Sequence, residues 1–422
     1  MFRFLLKGIY RDRSRSIFPV IVCAAGVFMV FFGSCFLEGT MENFISANAN
    51  LSTGHVKVVS YAYGQEKGSA SLELAMELEE GFLDKLNTEY PQFRWTKRTN
   101  FGGLLDIPDE KGETRAQSPA SCLAIDLISP NSVEAKELNL EKALQEGRLP
   151  KEKNEILLSA NLAKRLGAKL GERVTILTST VDGATTAGNF IIVGFIRLGI
   201  PMLDRSTAIV DVAGADYLLD MEDYASEIYG LAHNGFDRGL IEKTAKKFNG
   251  QVKSRDQYRP YMLTMMQQNN TEAMLSKMNL AISFVSFLFV FLMTLVLWNA
   301  GLISGIRRFS EVGVRLAIGE RRRHIILSML FESIITGVIG TILGILLALP
   351  LVYYVQEVGI DYSHSFKDFS MMMSGVMRTK ITTKSFVNAC VPGVLASFLG
   401  MLMASWAIYQ RKTASLFKEL ET

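Results

Sequence analysis

The stretch "RRFSEVGVRLAIGERRRH", Arg307 to His324, joins two of the most apolar runs in the chain, each long enough to cross a bilayer. A plain polar turn would suffice as a link. This one instead spaces Phe309, Val312 and Leu316 along one face of a short amphipathic helix and sets Glu311 four residues before Arg315 as an ion pair. It closes at Gly319, a residue that takes the left-handed conformation cheaply. Anchoring to a membrane surface would need only Arg307, Arg308 and the "RRRH" heads, which can snorkel to anionic lipid. An ordered apolar stripe predicts a rigid element with a further task.

The rest of the chain supplies the membrane around it. Of 422 residues, 49% are apolar and 21% charged, an oilier balance than an ordinary soluble protein of this length. Net charge is only +3, which points away from nucleic acid as a partner. Four runs reach the roughly 20 apolar residues a spanning helix needs, and they predict spans over 17–37, 277–304, 325–355 and 385–408. Basic residues cluster in the N-terminal segment 1–16 (Arg3, Lys7, Arg11, Arg13, Arg15), in the connector 305–324 and in the tail 409–422 (Arg411, Lys412, Lys418). These three regions share one side, cytoplasmic by the positive-inside rule, so the polar domain 38–276 and the loop 356–384 face outward. Lys380 and Lys384 beside the last span dissent mildly. A cleavable signal peptide fits poorly, because the first apolar run is too long and no small-x-small site follows it. "FGSC", ending at Cys35, is a loose lipid-attachment pattern in which Phe32 matches badly. With Cys23, Cys35 and Cys390 in spans, Cys122 is alone in the outer domain and has no disulfide partner there.

The outer domain alternates strand and helix signals, which predicts an α+β fold. "HVKVVS" (His55 to Ser60) reads as a strand, and Leu72, Ala75, Met76, Leu78, Phe82, Leu83 and Leu86 recur at helical spacing. "NEILLSANLAKRLGAKLGERV" reads as strand, helix and Gly-marked turn; "RVTILTST" and "NFIIVGFIR" flank "VDGATTAG" as a long hairpin. Ser226 to Ala232 and Asp237 to Phe248 suggest a further strand and helix. Composition shifts near Ala124 to Pro130 and Pro201 to Ser206 predict a module inserted over 128–205. After Pro260 the chain lacks strong breakers, so the second span is expected to begin as a helix leaving the domain.

Catalytic signatures are missing from the sequence. It contains no G-x-x-x-x-G-K-[ST] phosphate loop and no G-x-S-x-G, and His55, His233, His324 and His364 form no close-spaced metal motif. Glu79 and Glu80 read as a solvated helix face. The spans carry hardly any ionisable residue beyond Glu332, for which a local ion pair with Arg321 to Arg323 is expected in preference to a proton relay.

These residues resemble a family. "EVGVRLAIG" (Glu311 to Gly319) between spans two and three is similar to the E-x-G-[IV]-R-x-A-[LI]-G pattern of the FtsX-like, or MacB-like, permeases of ABC transporters. "LKGIYRDRSRSIF" resembles the basic approach to their first span, "GHVKV" (Gly54 to Val58) the segment after it in lipoprotein-releasing members, and Gly147 to Ile176 their extracytoplasmic core. The resemblance implies an α-helical membrane protein with four transmembrane helices plus a large α+β extracytoplasmic domain, a non-catalytic permease of the bacterial inner membrane with that domain in the periplasm. It also implies a dimer with a second permease copy or a related permease, bound to two copies of a separate ABC ATPase subunit that holds the ATP and Mg, so that this chain needs no cofactor of its own.

Under that resemblance the connector is a coupling helix seated in a groove of the ATPase. Phe309, Val312 and Leu316 would be groove-facing anchors, Glu311 and Arg315 an orienting pair, Arg307 and Arg308 flanking cations, and Gly313 and Gly319 points of close approach and termination. Gly337, Gly340 and Gly344 permit close helix packing, within the subunit or across a dimer, and Pro350 and Pro392 mark kinks. The expected cargo is a lipoprotein or other amphiphile passed to a periplasmic carrier. It would enter between the first two spans, whose faces include Phe28, Phe31, Phe32, Phe36, Phe284, Phe287, Phe289 and Phe291, with membrane lipid as the other partner of those rings. The hairpin tip Asp182 to Asn189 is a candidate carrier-binding loop. A MacB-like exporter of peptides, toxins or drugs and an FtsX-like signalling permease that activates a cell-wall hydrolase are the alternatives.

Overall fold

Alternation in the strands of the extracytoplasmic unit decides which side chains meet. A computed structural model describes residues 13–66, 71–109, 111–130, 132, 134–198, 201–233, 235–252, 254–268, 270–361 and 376–410. The expectations for residues 1–12, for residues 362–375 of the loop 356–384, and for His364, Arg411, Lys412 and Lys418 lie outside them. The described chain divides into two compact units: a membrane unit (Met1–Met41, Lys277–Ile360, Met377–Thr422) and an extracytoplasmic unit (Glu42–Ser276, Asp361–Val376).

The first long helix, α1 (Arg13–Asn48), continues into a π-helical turn, Ala49–Thr53, which Gly54 closes at φ +62°. Then follow β1 (Val56–Ser60), α2 (Phe82–Glu89), β2 (Phe93–Pro108), β3 (Thr114–Ile125), β4 (Leu144–Gly147), β5 (Glu155–Ser159), α3 (Ala160–Leu166), β6 (Arg173–Ser179), β7 (Thr185–Ile196), β8 (Thr207–Asp211), α4 (Val212–Leu219), β9 (Glu227–Ala232), α5 (Arg238–Gln251) and β10 (Pro260–Thr264). The helical spacing across Leu72 to Leu86 is realised only from Phe82 onward. Leu72–Leu74 is a 3-10 turn, Met76–Glu77 pairs as a strand with Tyr224–Ala225, and Gly81 at φ +76° separates these from α2. Pairing of Met76 with an edge backbone overrides the local period.

Strand β2 is shared by two modules. Its first half, Phe93–Arg98, pairs with β9 in the antiparallel order β10-β1-β9-β2. Its second half, Thr99–Pro108, pairs with β3 on one side and β6 on the other. From β3 the pairing runs through β8, β5, β7 and β6 and returns to β2, so six strands close on themselves. The ring therefore draws strands from both sides of the 128–205 segment. Closure leaves no free edge within the ring. Phe101, Leu105, Ile156, Leu158, Val174, Ile176, Ala208 and Val210 fill one continuous core with Leu162 and Leu166 of α3 and Leu218 and Leu219 of α4.

In the other module, Val56, Val58, Trp95 and Ile228 share a face of the sheet and pack on Ile241, Ala245 and Phe248 of α5. Asp237 caps α5 by accepting from the Gly239 and Leu240 N–H groups. The opposite face is fixed by register, which sets Lys57 across from Tyr229 and Glu227 across from Arg98. Glu227 Oε1 accepts from Lys57 Nζ at 2.9 Å and from the Tyr63 hydroxyl at 2.8 Å; Oε2 accepts from Asn100 Nδ2 at 2.9 Å and lies 2.9 Å from the Tyr229 hydroxyl. Burial alone would hold the Glu227 carboxyl protonated, but the Lys57 charge and these donors win and keep its pKa below the ordinary value. Lys57 Nζ also donates to the Ser52 carbonyl at 3.0 Å, and the fully buried Arg98 bridges Glu134 (Nε to Oε1, 3.0 Å) and the Asn50 carbonyl (2.5 Å). The turn that continues α1 is thereby held to β1 and β2.

Two expectations follow. Glu227→Gln leaves Lys57 buried without its counter-ion, a change worth about 3–5 kcal/mol. The urea midpoint should fall accordingly, read by Trp95 emission after Trp298→Phe and Trp406→Phe; an unchanged midpoint would refute the role given to the pair. His55 is 3% exposed, and its Nδ1 accepts from the Ala232 N–H at 3.1 Å. Burial lowers its pKa to about 4. Because the unfolded chain protonates His55 near its ordinary pKa of 6.5 and the folded chain resists until about 4, stability is full above that window. It should fall as pH drops through it, by up to about 3 kcal/mol. His55→Asn should flatten that slope in the same measurement.

Candidate functional site

Four described helices are long and apolar enough to cross a membrane: α1 over Ile17–Thr53 including its terminal turn, α6 (Thr271–Ile306), α8 (Arg322–Glu357), and Thr383–Trp406, which is built from α9 (Thr383–Cys390), a π-helical turn Val391–Ala396 holding Pro392, and α10 (Ser397–Gln410). Between α6 and α8 lies α7 (Phe309–Ala317), the helix expected from the connector. Helix α6 starts at Thr271, six residues before the expected span, and the segment Pro260–Gln267 ahead of it is a strand and a 3-10 turn. Pro350 sits within α8, which runs on to Glu357.

The connector is tied down from within. Arg308, at the head of α7, forms a two-pronged ion pair with Glu332 of α8, with Nη2 to Oε1 at 2.7 Å. Glu332 stands ten residues into α8, about 15 Å along its axis, so this bond folds the start of α7 back along the next helix. Glu332 does pair locally, as its depth suggests, but with Arg308 and not with Arg321 to Arg323; those three precede or open α8 while Glu332 lies further up the same helix. Glu311 and Arg315 pair at 2.6 Å along the exposed side. Gly319 ends the element at φ +95°, with Glu320 N–H on the Arg315 carbonyl and Gly319 N–H on the Leu316 carbonyl.

The apolar stripe faces inward, which corrects the assignment of Phe309, Val312 and Leu316 as docking anchors. Phe309 and Val312 are buried with Ile325 and Met329 of α8 and Met401 of α10, and Leu316 packs against the same cluster. Gly313 is buried as well. The reason is energetic: a stripe of this size finds apolar neighbours in its own bundle and needs no partner to leave water. What α7 presents outward is Val314 and Ile318, the latter 81% exposed, beside Arg315, Gly319, Arg321 and Arg323. Arg307 is exposed and lies over the Phe18 ring at 5.8 Å. The sequence carried this signal in the second apolar pair, Val314 and Ile318, at helical spacing.

The small residues of α8 serve packing inside this chain. A Cβ at Gly340 would meet Cys23 at 2.6 Å, one at Gly344 the Ala24 carbonyl at 2.6 Å, and one at Gly337 the Gly393 carbonyl at 2.7 Å. All three thus admit α1 or the fourth span. The phenylalanines divide by helix. Phe31 is fully buried and Phe28 and Phe32 pack on the same cluster with Ala348, Val352 and Ala389; Phe36 is partly buried and stacks on Phe32. Phe284, Phe287 and Phe291 are exposed along α6, and Phe289 lies against Gly33. Of the expected amphiphile-facing rings, Phe284, Phe287 and Phe291 are thus exposed, and Phe28, Phe32 and Phe36 are half-buried. In the extracytoplasmic unit, the hairpin tip is Thr180 to Ala184, and residues 185–189 are already strand β7.

If the Arg308 to Glu332 bond fixes the connector, Arg308→Met and Glu332→Met should each lower the thermal midpoint of the purified protein, by about 3 kcal/mol in equivalent stability. The double change should recover most of that loss. Losses that simply add would show that the two side chains do not act as a pair.

Comparisons with known proteins match parts of the chain. Residues 283–413 match the family model described as FtsX-like permease C-terminal. The chain is 28% identical over 132 residues to the macrolide export ATP-binding/permease protein MacB of Brucella abortus, 31% of this chain and 20% of that protein. It is 32% identical over 110 residues to the MacB protein of Mannheimia succiniciproducens, 26% of this chain and 17% of that one. The chain thus spans about a fifth of the length of these curated relatives. The periplasmic region of MacB from Actinobacillus actinomycetemcomitans aligns with 54% of this chain and 95% of its own length, at 13% identity and a TM-score of 0.35. Over residues 283–413 the chain is thus similar to the FtsX-like permease C-terminal domain, and its described residues include four helices long and apolar enough to cross a membrane.

Proposed function

We propose that the chain is the non-catalytic permease subunit of an ATP-driven transporter that works by mechanical coupling, and that its cargo is an acylated protein released from the membrane. Two copies of a separate ATPase subunit, which would hold the ATP and Mg, drive it from the cytoplasmic side. A second permease copy, or a related permease, completes the dimer. The single observation that carries this reading is the fixation of α7: a helix clamped by Arg308 to Glu332 and by a buried apolar face moves with α8 as one piece. A connector bound this way passes a push onward where a loose turn would absorb it. The surface offered to the ATPase is then Val314 and Ile318 with the surrounding arginines.

Lipoprotein release is favoured by the exposed Phe284, Phe287 and Phe291 of α6, an apolar face on which an acyl chain could leave the lipid. A second reading, export of a small amphiphile from the periplasm, is favoured by the relatives, which are named for macrolide export.

Ile318→Asp should abolish co-purification of the ATPase subunit while leaving the thermal midpoint within about 0.5 kcal/mol, as expected of an exposed site. Val312→Asp should instead destabilise the bundle, because it places a charge in a buried cluster. Co-purification that survives Ile318→Asp would sink the docking face. In proteoliposomes holding permease, ATPase and carrier, ATP should release a radiolabelled lipoprotein; macrolide efflux without lipoprotein release would decide for the second reading.

A further inference from the structure

The membrane unit holds a small cavity of about 30 Å³ where α1, α6, α8 and α10 converge on the Arg308–Glu332 pair. One water needs roughly 10–15 Å³ of such space, so the cavity takes about two molecules of that size at most. Its walls are mixed. Ser304 of α6, Ser333 and Thr336 of α8 and Ser397 of α10 line it beside the two charged side chains, and Cys23 and Met401 are among the rest. Three of these hydroxyls already donate to carbonyls one turn earlier: Ser333 to Leu330 at 2.8 Å, Thr336 to Glu332 at 2.9 Å and Ser397 to Gly393 at 3.1 Å. A hydroxyl that has given its one proton has only lone pairs left to offer, whereas the Arg308 guanidinium brings only donors.

From the volume, the mixed walls and the ion pair we infer that the cavity is a hydration site, one that binds ordered water between the Arg308–Glu332 pair and the surrounding hydroxyls. Charge rules out other occupants of that size. A metal cation would sit against the Arg308 guanidinium, and an anion would meet the Glu332 carboxylate and three acceptor hydroxyls; each repulsion is strong where little solvent screens it. A small neutral molecule that both donates and accepts satisfies both sides, and water does so with two to four partners. The consequence lies with the clamp. A carboxylate inside a span is costly because it loses its hydration, and a bound water returns part of that hydration at a modest entropic cost. The inference concerns the membrane unit alone and needs neither an ATPase nor a cargo.

The test uses the full-length chain in nanodiscs, without ATPase or nucleotide, and X-ray radiolysis, which makes hydroxyl radicals from water wherever water is bound. The chain carries its own controls. Cys23 and Met401 line the cavity at 2% and 4% exposure, while Cys35 and Met329, at 0% and 4%, do not line it. Oxidation read by peptide mass spectrometry should be about tenfold faster at Cys23 and Met401 than at Cys35 and Met329, because only the first two touch a water. Ser304→Val, which fills the space, should remove most of that contrast, while Ser304→Ala, which leaves it open, should keep it within about twofold. If Ser304→Val fails to fold, the contrast in the unsubstituted protein decides alone. A sulfonated methanethiosulfonate, too large for the cavity, should leave Cys23 unmodified; modification would show a channel open to bulk solvent and overturn the assignment. Equal oxidation at the four residues, or a contrast that a folded Ser304→Val protein retains, would overturn it too.

Discussion

The Lys57–Glu227 pair is the contact on which the extracytoplasmic unit turns. Two charges taken out of water incur a desolvation penalty of several kcal/mol each, and only dense hydrogen bonding offsets it. Here every oxygen of Glu227 is occupied, Lys57 donates a further hydrogen bond to the Ser52 carbonyl, and Arg98 with Glu134 repeats the pattern at Asn50. The recipients matter as much as the charges. Asn50 and Ser52 belong to the turn that continues α1, and their carbonyls are among the groups a helix end leaves without partners. The same bonds that neutralise the buried ions satisfy a helix terminus, so neither can be released without exposing the other.

The membrane unit uses a related device at Arg308 and Glu332. An acid inside a span is costly unless paired, and its partner comes from the connector, so the cost of burying the carboxylate fixes the position of α7. The apolar stripe of α7 then adds its burial against Ile325, Met329 and Met401. In both units a charged side chain holds a joint between elements, while apolar packing supplies most of the stabilisation. Close helix contact at Gly340 and Gly344 completes the bundle without any charged group.

Helix α6 is different. Its apolar window is only 11% buried, and Phe284, Phe287 and Phe291 lie open. In a bilayer such a surface carries no penalty, so it is the face of this unit free to meet lipid, cargo or a second subunit. Helices α6 and α7 are joined by Arg307 and Arg308.

The sequence by itself determined the four spans, the amphipathic connector with its Gly319 stop, the Glu311 to Arg315 pair and the hairpin around Gly183, because each depends on period, length or local backbone preference. Lys57 within "HVKVVS" and Glu227 within "EIYGLA" were visible as charges in otherwise apolar strands, but register alone decided that they meet. The inward turn of Phe309, Val312 and Leu316 and the choice of Arg308 as the partner of Glu332 were likewise decided only by tertiary structure. A helical stripe shows that one face is apolar without saying what covers it, and a charge shows a need for a partner without saying which. The sharing of β2 between sheet and closed ring was hidden for the same reason. Strand pairing joins residues far apart in sequence, and no local pattern records which distant backbone supplies the other half of each hydrogen bond.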